Sequence, residues 1–239
     1  FRNCFCKYGG AIYITDRDNC VTEINECLFE NNSAYYKSSQ VSVDGGALYL
    51  TKSRINISKC VFNNNTSTGI SSSGSSTIRG GCIYCERSYI NIYTSIFSNN
   101  LVYSECSGTS DNFKSYGGGI SIYYSTCNLY NSSFYENKII SSSKSTSKDD
   151  SLEIYGGGFS STYNSQLYFN ECTFYNNSLY AATNNVIPIT CGGGIYSENA
   201  LSFIISDSKF KYNNINSLRA VSSSSAYGGQ LHINNKYSL

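Results

Sequence analysis

Two acidic residues at equivalent positions of neighbouring repeats are the strongest candidates for chemistry in this chain. Glu171 and Asp207 each stand three residues before the phenylalanine of a recurring Phe-x-x-Asn motif. Paired carboxylates can share a proton or a cation, and polysaccharide-cleaving enzymes use such pairs. Their neighbours in sequence supply no basic partner: Asn170, Cys172, Ser206 and Ser208. We therefore favour a solvated acidic pair over a lyase or hydrolase site, and predict that the protein is not an enzyme.

Metal and cofactor chemistry is also disfavoured by the spacing of the ligand-type residues. The chain has eleven cysteines and one histidine, His232, but Cys82 and Cys85 form its single C-x-x-C pair. A structural zinc site would need a second pair at a regular offset, so we expect no metal and no cofactor. High cysteine usage points instead to an oxidising compartment or to buried thiols. Equivalent positions in adjacent repeats make Cys27 and Cys60 a possible disulfide, although parallel side-chain vectors are not ideal for one.

These residues belong to an internal sequence repeat. A Gly-Gly pair recurs every 35 to 39 residues, at positions 9, 45, 80, 117, 156, 192 and 228. A Phe-x-x-Asn motif follows each of the first six pairs after a nearly constant interval, whereas the interval from that motif to the next Gly pair varies. Ser-rich stretches fall in this variable half, at 71–77, 141–147 and 222–225. A rigid half and a variable half in each repeat predict a solenoid with one surface loop per coil.

Apolar residues alternate within the constant half, as in Leu48 and Leu50 or Ile55 and Ile57. Short segments of period two, separated by polar corners, predict strands. One apolar column contains Ile12, Leu48, Ile83, Ile120, Phe159, Ile195 and Leu231, and a second contains Ile24, Ile57, Ile92, Leu129, Phe169 and Ile205. These columns predict an all-β, right-handed, single-stranded parallel β-helix over residues 1–239, with about six coils and about three sheets.

The two recurring motifs have separate expected roles. The Gly pair suits a tight corner or a close approach of two backbones, which a side chain would obstruct. The asparagine of each Phe-x-x-Asn motif is expected to form a structural ladder between coils: Asn32, Asn65, Asn100, Asn137, Asn177 and Asn213.

A named family carries the same combination of motifs. The segments "GGAIY", "GGALY" and "GGGIY", each followed by Phe-x-x-Asn, resemble the repeats of the polymorphic outer membrane proteins of chlamydiae and the similar surface families of protists such as trichomonads and ciliates. The resemblance covers essentially the whole chain. It implies a secreted or cell-surface β-helix that functions in adhesion or in building the surface.

Two surface features could mediate contacts. Outward tyrosines on successive coils form a possible glycan-binding stripe: Tyr13, Tyr49, Tyr84 and Tyr196. N-glycosylation sequons begin at Asn31, Asn56, Asn64, Asn131 and Asn176, of which Asn31, Asn64 and Asn176 occupy the same corner. Asn65 also begins a sequon, but its ladder position predicts that it is buried and unmodified.

The amino-acid composition disfavours some classes of partner. The net charge is +1 and 14% of residues are charged, which disfavours a nucleic-acid partner, and the apolar runs are too short for a transmembrane segment. We predict an extracellular structural or adhesive rod, with a glycan-binding module as the alternative and a polysaccharide lyase or hydrolase as the weaker one. The expected partners are covalent N-glycans, host or matrix glycans, and the protein itself, because we expect the rod to continue beyond this segment by stacking of coils.

Overall fold

A computed structural model describes residues 1–15, 20–108, 112–145, 150–219 and 225–234. This part of the chain forms a parallel β-solenoid of about six coils, and all of its regular elements are strands. Each coil contributes one strand to each of five parallel sheets, so the expected three sheets is wrong. The right-handed sense stays a prediction. No helix long and apolar enough to cross a membrane occurs among these residues.

The constant half of each repeat builds three sheets, numbered here from the Gly pair onward. Sheet I consists of β2 (Ile12–Thr15), β7 (Leu48–Thr51), β12 (Ile83–Glu86), β17 (Ile120–Tyr123), β22 (Phe159–Thr162), β27 (Ile195–Glu198) and β32 (Leu231–Asn234). Sheet II consists of β3 (Val21–Asn25), β8 (Arg54–Ser58), β13 (Tyr89–Tyr93), β18 (Thr126–Tyr130), β23 (Gln166–Asn170) and β28 (Ser202–Ser206). Sheet III consists of β4 (Leu28–Glu30), β9 (Val61–Asn63), β14 (Ile96–Ser98), β19 (Ser133–Tyr135), β24 (Thr173–Tyr175) and β29 (Lys209–Lys211).

The variable half of each repeat is not a surface loop but builds two further sheets. Sheet IV consists of β1 (Phe5–Cys6), β5 (Ser33–Ser38), β10 (Thr66–Ser71), β15 (Leu101–Cys106), β20 (Lys138–Ser143), β25 (Ser178–Thr183) and β30 (Asn214–Arg219). Sheet V consists of β6 (Val41–Asp44), β11 (Ser76–Arg79), β16 (Asn112–Tyr116), β21 (Ser151–Tyr155), β26 (Ile187–Cys191) and β31 (Ser225–Tyr227).

The variation in repeat length lies mainly between sheets IV and V. The connection between sheets I and II varies from two residues, 52–53, to three, 163–165, whereas the strands of sheets IV and V are separated by two residues, 39–40, in one coil and by seven, 144–150, in another. Of the Ser-rich stretch 71–77, only residues 72–75 lie in the turn between sheets IV and V, because Ser71 ends β10 and Ser76 begins β11. Parts of the other two Ser-rich stretches, 146–147 and 222–224, lie outside the described residues.

Single residues in the left-handed conformation explain why five sheets fit into one coil. The corners between sheets II and III and between sheets III and IV each use one non-glycine residue at positive φ, for example Lys59 (51°) and Asn64 (56°). Most described corners between sheets I and II do the same, for example at Lys52 (51°). Such a residue redirects the chain at once, so a strand as short as three residues can lie between two corners. Sequence patterning detects the strands but not these one-residue breaks, which is why three sheets were expected.

Both predicted apolar columns are in register. Leu48 pairs with Ile83, and Ile57 pairs with Ile92. Their side chains belong to one core cluster, enclosed by sheets I, II and III, which also contains the stacked phenylalanines Phe29, Phe62, Phe97, Phe134 and Phe174. A second cluster lies between sheets IV and V and includes Val43, Ile78, Phe113 and Ile154. The coil is therefore divided into two lobes.

Hydrogen-bonded ladders run along the inside of the corners. Each ladder asparagine, such as Asn65, donates Nδ2 to Oδ1 of the next one, Asn100, at 2.9 Å, and its backbone N–H donates to the same oxygen at 3.0 Å. The same Asn65 amide also donates to the Phe29 carbonyl of the preceding coil at 3.0 Å. The bonds between side-chain amides continue without a gap from Asn32 to Asn213. All polar groups of this buried corner are thereby satisfied.

Candidate functional site

Sheets I and V meet at the Gly pair and turn their outward faces towards each other, which forms a groove along the solenoid. The outward row of sheet V nearest the corner is Asp44, Arg79, Tyr116, Tyr155, Cys191 and Tyr227. The facing row of sheet I is Tyr13, Tyr49, Tyr84, Ser121, Ser160, Tyr196 and His232. The groove is thus mainly aromatic, with one buried ion pair and two serines.

Both glycines of each pair are needed for this bend, for different reasons. Gly117 has φ of +61°, where a side chain is strained. A Cβ on Gly118 would collide with the carbonyl oxygen of Gly157 and lie 2.7 Å from the backbone of Lys138, the first residue of β20. The corner therefore contacts the backbone at the start of sheet IV, and this contact separates the two lobes of the coil.

The predicted tyrosine stripe exists but is largely covered. Tyr13 stacks on Tyr49 at 4.8 Å and Tyr49 on Tyr84 at 5.4 Å, yet only Tyr13 is well exposed, at 52%. Tyr84 is fully buried and Tyr196 nearly so, at 3%. Because sheet V covers this row, the expectation of an open stripe is wrong. Burial raises the pKa of Tyr84 far above that of free tyrosine, so its hydroxyl stays protonated at neutral pH.

An ion pair between two adjacent strands of sheet V lies at the bottom of the groove, and its arginine contacts the stripe. Arg79 donates Nε and Nη2 to the Asp44 carboxylate at 2.6 and 2.9 Å, and its guanidinium lies 4.2 Å from the centre of the Tyr84 ring. Desolvation raises the pKa of the Asp44 carboxyl, and the Arg79 charge opposes that rise. A paired, bidentate arrangement of this kind is the form in which a buried carboxylate is tolerated.

A cavity of about 190 Å³ opens where the aromatic row is interrupted by Ser121 and Ser160. Ser160 donates its hydroxyl to that of Ser121 at 3.0 Å. The cavity is lined by Thr77, Arg79, Lys114, Tyr116, Ser121, Tyr123, Thr162 and Tyr163. Lys114 is paired with Glu153 at 2.7 Å. The cavity thus combines aromatic walls with hydroxyl groups and with two cations that already have carboxylate partners.

The residues of sheet V lie in the half of the repeat that was predicted as a loop, although short apolar stretches in it, such as 41–43 and 186–187, indicate that parts of it add strand. Their signal was present: segments of period two such as "VSVD", "STIR" and "SLEIY" stand directly before a Gly pair. The interruption of the tyrosine column by two serines was also visible in the sequence. What the sequence did not reveal was the opposing sheet that makes the interruption a cavity.

The acidic pair lies away from this groove, on the corner between sheets II and III. Glu171 and Asp207 occupy the same position on adjacent coils, as predicted, because Asn170 pairs with Ser206 just before them. Both are exposed and at positive φ, 56° and 47°. In the same column, Lys59 contacts Glu26 at 3.0 Å with both side chains more than 60% exposed, a surface ion pair of little energetic weight.

The sequon asparagines differ in accessibility. Asn31, Asn64 and Asn176 are exposed corner residues with φ between 53° and 56°, and Asn131 is exposed on the preceding corner. Asn56 lies half-buried on the outer face of sheet II, where its amide donates to Glu23. Asn65 is fully buried in the ladder. An attached glycan could therefore leave the coil from the corner positions without disturbing the ladder.

The cysteine column has a role that the sequence did not suggest. All eleven cysteines are free thiols in the structure, so the predicted Cys27–Cys60 disulfide is not present. Cys60 Sγ instead accepts a hydrogen bond from the Cys27 backbone N–H at 3.4 Å. In the next coils the same acceptor is the hydroxyl of Ser95 and then of Ser132. Cysteine and serine are thus interchangeable members of a second ladder, between sheets II and III.

His232 is the last residue described in the aromatic row. Its ring stacks on Tyr196 with centroids 5.7 Å apart, and burial lowers its pKa below the usual histidine value. Cys82 and Cys85 are buried thiols, and burial raises the pKa of both. Within the described residues, no three His, Cys, Asp or Glu side chains are grouped so that they could hold a metal ion.

Comparison with known proteins identifies one repeat. The Chlamydia polymorphic membrane protein repeat matches residues 26–51. This span runs from the corner before one Phe-x-x-Asn motif to the end of the sheet I strand after the next Gly pair, so it contains both motifs and confirms the resemblance for that repeat. No curated protein and no solved structure matches the chain.

Proposed function

We propose that this chain is a segment of a surface-displayed β-helical rod with a structural or adhesive role and no catalytic function. The observation that carries the proposal is the match of residues 26–51 to a repeat of surface membrane proteins, found in a chain whose coils all have the same construction. The inner corners are held by ladders that run from coil to coil, whereas the outer positions vary freely. Such a scaffold presents a long surface whose composition can change without loss of the fold.

The position of the acidic pair favours this proposal over a polysaccharide-cleaving enzyme. Glu171 and Asp207 project from an exposed corner rather than from the groove, whereas a glycosidase holds its carboxylates on either side of a bound sugar. Glu198 lines another part of the groove, beside Tyr196, and the carboxylates nearest the cavity, Asp44 and Glu153, are bonded to Arg79 and Lys114. These ion pairs support a structural role for the acidic groups nearest the cavity.

Surface display is tested on intact cells of the source organism. An antibody raised against residues 1–239 should label non-permeabilised cells, and brief protease treatment should remove the label. Labelling that appears only after permeabilisation would contradict the proposal. For the adhesive role, beads coated with the segment should adhere to host cells or matrix more strongly than beads coated with the Gly118→Ala variant, whose disrupted corner is expected to unfold it. Equal adhesion by both coatings would contradict the adhesive role and leave only the structural role.

N-glycans form part of the same proposal. We place them on the exposed corners at Asn31, Asn64 and Asn176, with Asn131 and Asn56 as further acceptors. Peptide mapping before and after enzymatic deglycosylation of the native protein should show occupancy at the first three and an unmodified Asn65. Bare asparagine at all three corners would refute glycosylation.

Contact between copies is the remaining element of the proposal. Adjacent coils pair strand to strand in parallel throughout the described residues. A second copy stacked end to end would extend the sheets by the same pairing. Light scattering of the isolated segment should therefore show concentration-dependent association, and a stable monomer at all concentrations would exclude it.

A further inference from the structure

The cavity at the interruption of the aromatic row is not explained by the stability of the rod. Every other described coil fills this position of sheet I with an aromatic ring: Tyr13, Tyr49, Tyr84, Tyr196 and His232. The two serines are therefore not required by the fold, because neighbouring coils show that a tyrosine is accommodated there. Stability would be served better by a ring at this position, since an unfilled recess loses packing contacts.

From this geometry we propose that the cavity is a binding site for one neutral sugar residue of a glycan. The volume of about 190 Å³ lies below the roughly 300–1,000 Å³ of pockets that take drug-sized ligands. A cavity of this size suits a single pyranose ring better than a peptide segment. The inference deepens the adhesive role proposed above and rests on it for its biological setting.

The lining matches the two kinds of surface that a sugar presents. The rings of Tyr116, Tyr123 and Tyr163 offer faces to the apolar C–H groups of a pyranose. The hydroxyls of Thr77, Ser121 and Thr162 line the cavity, where they can exchange hydrogen bonds with sugar hydroxyls. Burial raises the pKa of Tyr123, with a further contribution from the neighbouring Tyr124 and Tyr163, so its phenol remains a hydrogen-bond donor at neutral pH.

The charges of the cavity exclude the main competing ligands. A cationic ligand would meet Arg79 and Lys114. A phosphate or an acidic sugar would have to draw these cations away from Asp44 and Glu153, to which they are bonded at 2.6 and 2.7 Å. Breaking the buried Arg79–Asp44 pair would leave Asp44 as an uncompensated buried charge, whereas the Lys114–Glu153 pair is partly exposed. A neutral ligand leaves both ion pairs intact, which is why the proposed sugar is uncharged.

Nuclear magnetic resonance on residues 1–239 tests the site directly. The probes are the methyl glycosides of glucose, galactose, mannose and N-acetylglucosamine. At least one should shift the backbone amide signals of Ser121 and Ser160 in a saturable manner, and saturation transferred from the protein should reach its ring protons. If none of these sugars shifts the two amides, or if the shifts rise linearly without saturation, the proposal is overturned.

Variants separate the cavity from the rest of the surface. Ser121→Tyr continues the aromatic stack from Tyr84 and should weaken binding roughly tenfold or more, because its ring occupies the cavity. Thr126→Tyr is the matched control: it adds the same side chain on sheet II beside Tyr89 and should leave binding unchanged. Should Ser121→Tyr fail to fold, Tyr163→Asn removes one wall at an exposed position where asparagine tolerates positive φ. Undiminished binding by a folded cavity variant would refute the site.

The outcome is independent of the test of surface display. A segment that labels the cell surface but binds none of the sugars would refute the site and leave the surface role standing. A segment that binds sugar but lies inside the cell would support the site and refute the surface role.

Discussion

The corner at the Gly pair and the corner at the ladder asparagines both turn the chain with one residue at positive φ. They differ in the residue that follows the turn, which is a glycine in one corner and a buried asparagine in the other. At the asparagine corner the turning residue, such as Asn64, points to solvent, and the following Asn65 fills the interior with a hydrogen-bonded amide. At the Gly corner neither residue has a side chain, because the backbone of sheet IV lies directly against it. One corner is held by a polar ladder and the other by contact between backbones.

This difference indicates which substitutions each corner tolerates. A ladder can exchange one small polar side chain for another, as the cysteines and serines between sheets II and III do. A backbone contact leaves no room for any exchange. The effect of a substitution on stability should therefore be largest at the Gly corner and smallest at the exposed turning residues.

Gly118→Ala should have the largest effect. The added Cβ would meet the Gly157 carbonyl oxygen and the Lys138 backbone, neither of which can rotate away. We expect a loss of more than about 4 kcal/mol in the free energy of unfolding, measured by urea denaturation. Gly229→Ala is the matched control, since at the same position of the last Gly pair a Cβ would lie 3.5 Å from its nearest neighbour, and it should lose far less. Similar losses for both variants would show that the backbone contact does not dominate this corner.

Asn100→Ala should have the next largest effect. It removes the acceptor of two hydrogen bonds from Asn65 and the donor to the Phe62 carbonyl, all of them buried. Groups left buried without a partner cost about 1–3 kcal/mol each, and partial relaxation should hold the total near about 3 kcal/mol. The adjacent, exposed Asn99→Gly keeps the positive φ and should change stability by less than about 1 kcal/mol. Equal effects at both positions would contradict a structural ladder.

Cys60→Ser tests whether the second ladder treats cysteine and serine alike. Serine already fills this column at Ser95, Ser132 and Ser208, so the loss should be under about 1 kcal/mol. Cys82→Ser places a hydroxyl at a buried apolar position and should cost about 1–3 kcal/mol. A disulfide to Cys27 would instead make Cys60→Ser lose about 2–4 kcal/mol, and that loss would disappear when both proteins are measured under reducing conditions.

The sequence predicted the constant half of the coil well, because its strands alternate regularly and its columns repeat at fixed intervals. The register of Leu48 with Ile83 and of Ile57 with Ile92 followed directly from those intervals. Sheets IV and V were missed because a turn of variable length separates them and hides the repeat. The groove could not be predicted for the same reason: Tyr84 and Tyr196 are covered by side chains from the half that was assigned to a loop.

The smallest predicted effect concerns a turning residue that is poorly suited to its conformation. Thr94 is exposed and has φ of 46°, where a β-branched side chain is strained and asparagine is well tolerated. Thr94→Asn should therefore raise the free energy of unfolding by up to about 1 kcal/mol. The same exchange in a strand, Thr126→Asn on sheet II, should lower it, because threonine favours strands and asparagine does not. The prediction is thus a reversal of sign between two Thr→Asn exchanges on one solenoid, measured side by side by urea denaturation. Two changes of the same sign would show that the left-handed conformation does not govern what these corners accept.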